Sequence, residues 1–128
     1  MQQWFAAYLE EFVALGRGDV VDVARLLTHY AVPLVLSSPG GTATLTDEAA
    51  IVAAITQQIE GMRAAGFAAT EVLGGATTVL NASCGLHRAT FRRTAHDGSE
   101  IARFDATYLI TDQDAGRRIA ALIVHAPA

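Results

Sequence analysis

One feature narrows the choice of fold more than any other: helical spacing fills the first half of the chain and strand patterning fills the second. Gln3 to Leu15 sets Trp4, Tyr8, Phe12 and Leu15 at helical spacing, with Phe5 and Leu9 beside them. Gly16 and Gly18 end that helix, and Asp19 stands where the cap of a short second helix belongs, ahead of Val20, Val23, Leu26 and Leu27. The RGD tripeptide between them reads as a helix–helix corner. After Phe67 everything reads as sheet: Ala69 to Leu80, Cys84 to Thr94, Glu100 to Thr111 and Arg117 to His125. Asp97-Gly98 predicts a tight hairpin, Thr111 to Gly116 a longer turn, and Gly74-Gly75 a bend or bulge. Helices first and hairpin-linked strands last define an α+β domain. Three N-terminal helices pack on one face of a strongly curved, mostly antiparallel sheet.

The middle of the chain supplies the remaining pieces. AVPLVLSS, following Tyr30, is a short strand whose Pro33 belongs at a strand start or an edge. PGGT, Pro39 to Thr42, turns it back on Ala43 to Leu45. Thr46 is the expected cap of a long third helix with Asp47 and Glu48 in its first turn. Ile51, Ile55, Ile59 and Met62 form its buried stripe, Gln57, Gln58 and Arg63 lie off it, and Gly66 ends it.

Composition bounds the function. At 128 residues, without linker, repeat or low-complexity tract, residues 1–128 form one domain. The opening MQQWFAAYLEEF has no basic start and carries Glu10 and Glu11 in its apolar spacing. It reads as neither signal peptide nor membrane span, and a cytoplasmic location is expected. The single cysteine, Cys84, reads as a small strand hydrophobe. A net charge of -4 argues against nucleic acid as partner, and Arg92-Arg93 and Arg117-Arg118 read as solvated strand ends. At 52% hydrophobic and 17% charged, against a usual charged share of about 25%, the chain is rich in apolar surface. A homodimer through the sheet face is expected, because IAALIVHA is apolar on both of its faces.

These segments resemble the nuclear-transport-factor-2-like superfamily, a cone-shaped, cystatin-like α+β fold that includes ketosteroid isomerase, SnoaL-like polyketide cyclases, scytalone dehydratase and limonene epoxide hydrolase. The likeness rests on helix 1 ending at Gly18-Asp19, the short helix into Tyr30-Ala31, the helix after Thr46, and the ending YLITDQDAGRRIAALIVH, Tyr108 to His125. In the isomerases the stretch similar to YAVPLVLSSPGG ends in Asp-Pro, whose Asp is the proton-shuttling base. Here that pair is Ser38-Pro39. A hydroxyl needs a separate base where a buried carboxylate does not, so the isomerase mechanism does not carry over. The isomerase's helix-1 tyrosine falls near Glu11, with Tyr8 one turn earlier, and its protonated acid corresponds to Asp105 in one of two strand registers.

Two readings of function follow. In the first the domain binds a small apolar ligand in the cone cavity without transforming it, with Trp4, Tyr8, Tyr30, Ser38 and Tyr108 as lining candidates. In the second it is a cofactor-independent isomerase, cyclase or dehydratase acting on a small carbonyl compound, with Asp105 or His87 as acid/base. Against this stands the plainer role of each: Asp105 as an ion-pair partner of Arg88 or Arg103 on the outer face, and His87 as a satisfied half-buried histidine. His29, His87, His96 and His125 lack ligand spacing, so neither a metal nor another cofactor is expected. No P-loop, GxSxG elbow or HExxH helix occurs.

Overall fold

The structure, a computed structural model, describes residues 1–126. Helix α1 (Gln2–Arg17) ends at Gly18, whose left-handed φ of 84° closes the helix with backbone N–H groups returned to Leu15 and Ala14. That closure claims Asp19 as well: its N–H bonds the Ala14 carbonyl at 3.0 Å, and its carboxylate pairs with Arg17. Asp19 is therefore not the cap expected from sequence. The next helix starts later, as a 3₁₀ helix (Val23–His29) capped by Asp22 Oδ1 accepting from Ala24 N at 3.1 Å.

Strand β1 (Tyr30–Ser38) turns into β2 (Gly41–Leu45), and their ladder opens at Leu34↔Leu45, one residue beyond Pro33. Proline, having no N–H to give, is accommodated at the irregular start of the strand, where the pairing register also shifts between Tyr30 and Val35. Helix α2 (Glu48–Ala64) is capped by Asp47, not Thr46: Asp47 Oδ1 accepts from Ala50 N at 2.8 Å. Its buried residues are Ile51, Ile55, Ile59 and Met62, the stripe its period predicts.

Four long strands complete the chain: β3 (Phe67–Asn81), β4 (Cys84–Ala95), β5 (Glu100–Gln113) and β6 (Gly116–His125). All their pairings are antiparallel, and β1 joins β6 in parallel, giving one curved, unclosed sheet of order β2-β1-β6-β5-β4-β3. A bulge between Val72 and Gly74 bends β3 where the Gly pair stands. The β4–β5 hairpin turns through Gly98 at φ 85°, with Asp97 Oδ1 accepting from Ser99 N at 2.9 Å. Phe5, Tyr8, Phe12 and Leu15 of α1 and the α2 stripe meet Phe91, Ala106, Tyr108, Ile110 and Ile119 of the sheet in one core. No helix among the described residues is long and apolar enough to cross a membrane.

Arg63 locks the two long helices together. Its Nε and Nη2 donate to the Leu15 carbonyl at 3.0 and 2.7 Å and its Nη2 also to Val20 at 3.2 Å, placing a cation on the open carbonyl end of α1. Charge-assisted bonds of this kind contribute about 1.5–3 kcal/mol. Replacing Arg63 by Met should lower the unfolding free energy in urea by about 2 kcal/mol, and by Lys somewhat less. An unchanged denaturation midpoint for Arg63→Met would show that this lock adds nothing.

Candidate functional site

The register of the terminal strands decides which side chains look inward. His87, Ala89, Phe91 and Arg93 of β4 stand opposite Tyr108, Ala106, Phe104 and Ala102 of β5, and Leu122 and Val124 of β6 continue the Tyr108 and Ala106 rows. On the helix side Tyr8 and Phe12 are one turn apart and share a face. Between these walls lies a cavity of about 30 Å³, lined chiefly by Tyr8, Phe12, Phe91, Arg93, Phe104 and Tyr108. That is room for a water or two and too little for a ring. An open groove of about 520 Å³ adjoins it, with Gln58, Leu122 and Val124 common to both, and β1, the turn and β2 forming its far wall.

The polar residues of the cavity lining are Tyr8, Gln58, Thr70, Arg93 and Tyr108, and Arg93 is their charged member. Tyr8 Oη and Tyr30 Oη lie 2.8 Å apart in a buried hydrogen bond. Burial pushes the hydroxyl pKa of Tyr8 well up, reinforced by Tyr30, and burial likewise raises those of Tyr30 and Tyr108. All three are neutral phenols at physiological pH. The Tyr108 hydroxyl has no hydrogen-bond partner among the described residues. Arg93 likewise makes neither hydrogen bond nor ion pair among them; its guanidinium carbon lies 4.8 Å from the Phe104 ring centre and 5.9 Å from that of Phe12. Burial lowers its pKa, with Tyr108 and Tyr8 offsetting part of that, yet a guanidinium stays charged in proteins.

Arg93 is the functional candidate that the sequence reading passed over as a solvated strand end. The available signal was the period of two: Arg93 shares a face with His87, Ala89 and Phe91, so whatever places Phe91 in the core also turns Arg93 inward. Arg92, on the other face, does reach solvent, where it pairs with Glu100 at 3.0 Å and Glu71 at 3.4 Å.

The residues proposed from sequence separate. Tyr8 and Tyr108 line the cavity, and Tyr30 stands behind Tyr8 as its hydrogen-bond partner. Trp4 lies outside the lining, stacked on Tyr8 at 6.5 Å between ring centres and edge-on to His29, which in turn bonds Glu11. Ser38 belongs to the open groove, not to the cavity, and its Oγ accepts from Gly40 N at 3.3 Å. His87 faces inward but packs on Phe5 with ring centres 4.1 Å apart, its Nδ1 2.8 Å from Thr77 Oγ1, and burial lowers its pKa.

Asp105 points to the opposite face of the sheet. It is 2% exposed, and its Oδ2 accepts from Arg88 Nη2 at 2.7 Å and Nε at 3.2 Å while its Oδ1 accepts from Thr90 Oγ1 at 2.6 Å. The ladder from Cys84 to Arg93 runs without interruption through Thr90↔Asp105, so no bulge turns this carboxylate toward the cavity. Among the described residues, no Asp or Glu lines the cavity or the groove. Among the described residues no three His, Cys, Asp or Glu side chains are grouped to hold a metal ion.

A family model described as "NTF2-like protein (DUF6841)" matches residues 1–127. No curated protein matches the chain. Among solved structures, a domain of unknown function with a cystatin-like fold from Nostoc punctiforme superposes with a TM-score of 0.73 at 17% identity, covering 99% of this chain and 77% of that one. A putative calcium/calmodulin dependent protein kinase II association domain from Xanthomonas campestris gives 0.66 at 13%, covering 99% and 88%. A ketosteroid isomerase-like protein from Erwinia carotovora atroseptica gives 0.66 at 17%, covering 96% and 90%. At such identities the likeness is one of fold.

The buried tyrosines make a pH prediction. Their folded-state pKa values lie above the ordinary 10, so the stability held by the protonated hydroxyls is complete below about pH 10 and is lost as the pH rises through the folded values. In an alkaline titration, tyrosinate absorbance should stay flat through pH 10 and rise together with the loss of circular dichroism. A separate ionisation step near pH 10 in the folded chain would put at least one of the three in water.

Proposed function

Because the chain belongs to the NTF2-like family DUF6841, we propose that it is a homodimeric domain that binds a small, largely apolar ligand at the cone cavity and its adjoining groove, without the ketosteroid isomerase mechanism. The observation that carries this is the lining: aromatic walls, phenol and guanidinium donors, and no carboxylate side chain in cavity or groove among the described residues. A proton shuttle at carbon needs a base beside the substrate, and among the described residues neither a carboxylate nor an imidazole side chain lines that space. The ligand's body lies in the groove, which is of the size that small-molecule sites have, and its tip enters the cavity.

Support for the dimer comes from the sheet's outer face. Val35, Ala121, Leu109 and Leu86 stand in one row across β1, β6, β5 and β4, and Ile123 beside them is 39% exposed. An apolar row crossing four strands fits a second copy of the same face, an isologous contact. The resemblance to a domain described as an association domain agrees with this. A cytoplasmic location completes the reading.

Two measurements test it. Light scattering at micromolar concentration should give twice the chain mass, and Ile123→Glu should halve it; a wild-type monomer refutes the dimer. The neutral dye N-phenyl-1-naphthylamine should gain fluorescence on binding, and Gln58→Trp, which blocks the space shared by cavity and groove, should weaken that binding about tenfold or more. Undiminished dye binding in the variant would remove this site from consideration.

A further inference from the structure

The cavity lining holds hydrogen-bond donors that have no protein acceptor among the described residues, and one of them, Arg93, is charged. Arg93 offers five N–H donors, and none has an acceptor among the described residues. The Tyr108 hydroxyl has no partner either, and the Tyr8–Tyr30 pair joins two hydroxyls by one bond, leaving one O–H over. The other polar lining groups, Thr70 and Gln58, bear no charge. Arg93 is half-buried among Phe12, Phe91 and Phe104: burial strips part of its hydration, the rings return about 1–2 kcal/mol, and its guanidinium nitrogens still reach solvent, where an incoming ligand can meet them.

Resting on the ligand-binding reading above, we propose that the ligand is a monocarboxylate with an apolar, arene-sized body, and that Arg93 receives its carboxylate inside the cone. Size and charge both select this class. The cavity of about 30 Å³ accepts a head group but not a ring, whereas the groove of about 520 Å³ has room for the body. One guanidinium balances one negative charge; a phosphate dianion would be left half unpaired in an aromatic enclosure. Two carboxylate oxygens suit the guanidinium fork, and Tyr108 supplies a further donor. An acceptor in the cavity also sets the direction of the phenol pair, Tyr30 donating to Tyr8 and Tyr8 to the ligand, a chain in which each bond strengthens the next.

Calorimetric titration of the full chain with benzoate, 3-phenylpropanoate and naphthylacetate, each beside its primary amide, tests the assignment. At least one acid should bind about tenfold or more tightly than its amide. Arg93→Met should cost the acid about tenfold or more in affinity, far more than it costs the amide, so that the acid–amide ratio falls to near one, and should melt at about the same temperature as wild type; Arg93→Lys should keep part of the preference. A cation with a purely structural role would instead lower the melting temperature on removal and leave the acid–amide ratio near one. Should Arg93→Met fail to fold, the ratio in wild type and in Arg93→Lys decides. Acids and amides binding alike, with the neutral dye still bound, overturns the carboxylate assignment alone. If acids, amides and dye all fail to bind, the ligand-binding reading falls, and this inference with it.

Discussion

The backbone ladder joining β4, β5 and β6 is the constraint on which the site depends. Side chains alternate across a pleated sheet, so a single pairing, Ala89↔Ala106, commits every neighbour: Phe91, Arg93, Phe104 and Tyr108 inward, Arg88, Thr90, Asp105 and Thr107 outward. Slipping by one residue would exchange Tyr108 for Leu109 and Phe91 for Arg92 in the core. The register is held because the inner set closes on Phe5, Tyr8 and Phe12 of α1, whose own spacing allows only one face to be apolar. Ladder and helix thus specify each other.

Two kinds of polar group result, and their environments differ in what they permit. On the outer face Asp105 is buried yet bonded to Arg88 and Thr90, a satisfied network whose groups are spoken for. On the inner face, Arg93 is half-buried beside Phe12 and Phe104, and neither it nor the Tyr108 hydroxyl has a hydrogen-bond partner among the described residues. The outer groups are thus paired within the protein, and the inner ones keep donors that no described protein group uses. Fold resemblance to an isomerase-like protein does not by itself carry an isomerase's chemistry.

Sequence-level reasoning went wrong where two signals of equal local strength compete. Asp19 follows a glycine and precedes an apolar run, as a cap does, but the left-handed closure of α1 uses its N–H first. Thr46 and Asp47 are both good caps in sequence; the carboxylate one residue later is the one within reach of Ala50 N. Arg93 was misjudged through its charge, since an arginine beside another arginine suggests solvent, whereas strand periodicity outweighs residue type when the neighbours on that face are buried.

By itself the sequence determined the periodicities: two long amphipathic helices, a meander punctuated at Asp97-Gly98, and the lack of a carboxylate at Ser38. These are local properties, fixed by side chains within a few residues of each other. Only the tertiary structure decided that Tyr8, Tyr30, Arg93 and Tyr108, spread over a hundred positions of chain, share one donor-rich interior, and that Asp105 stands behind the sheet. Those placements depend on strand register and on where a curved sheet meets a helix, and both are settled by the packing of the whole core at once.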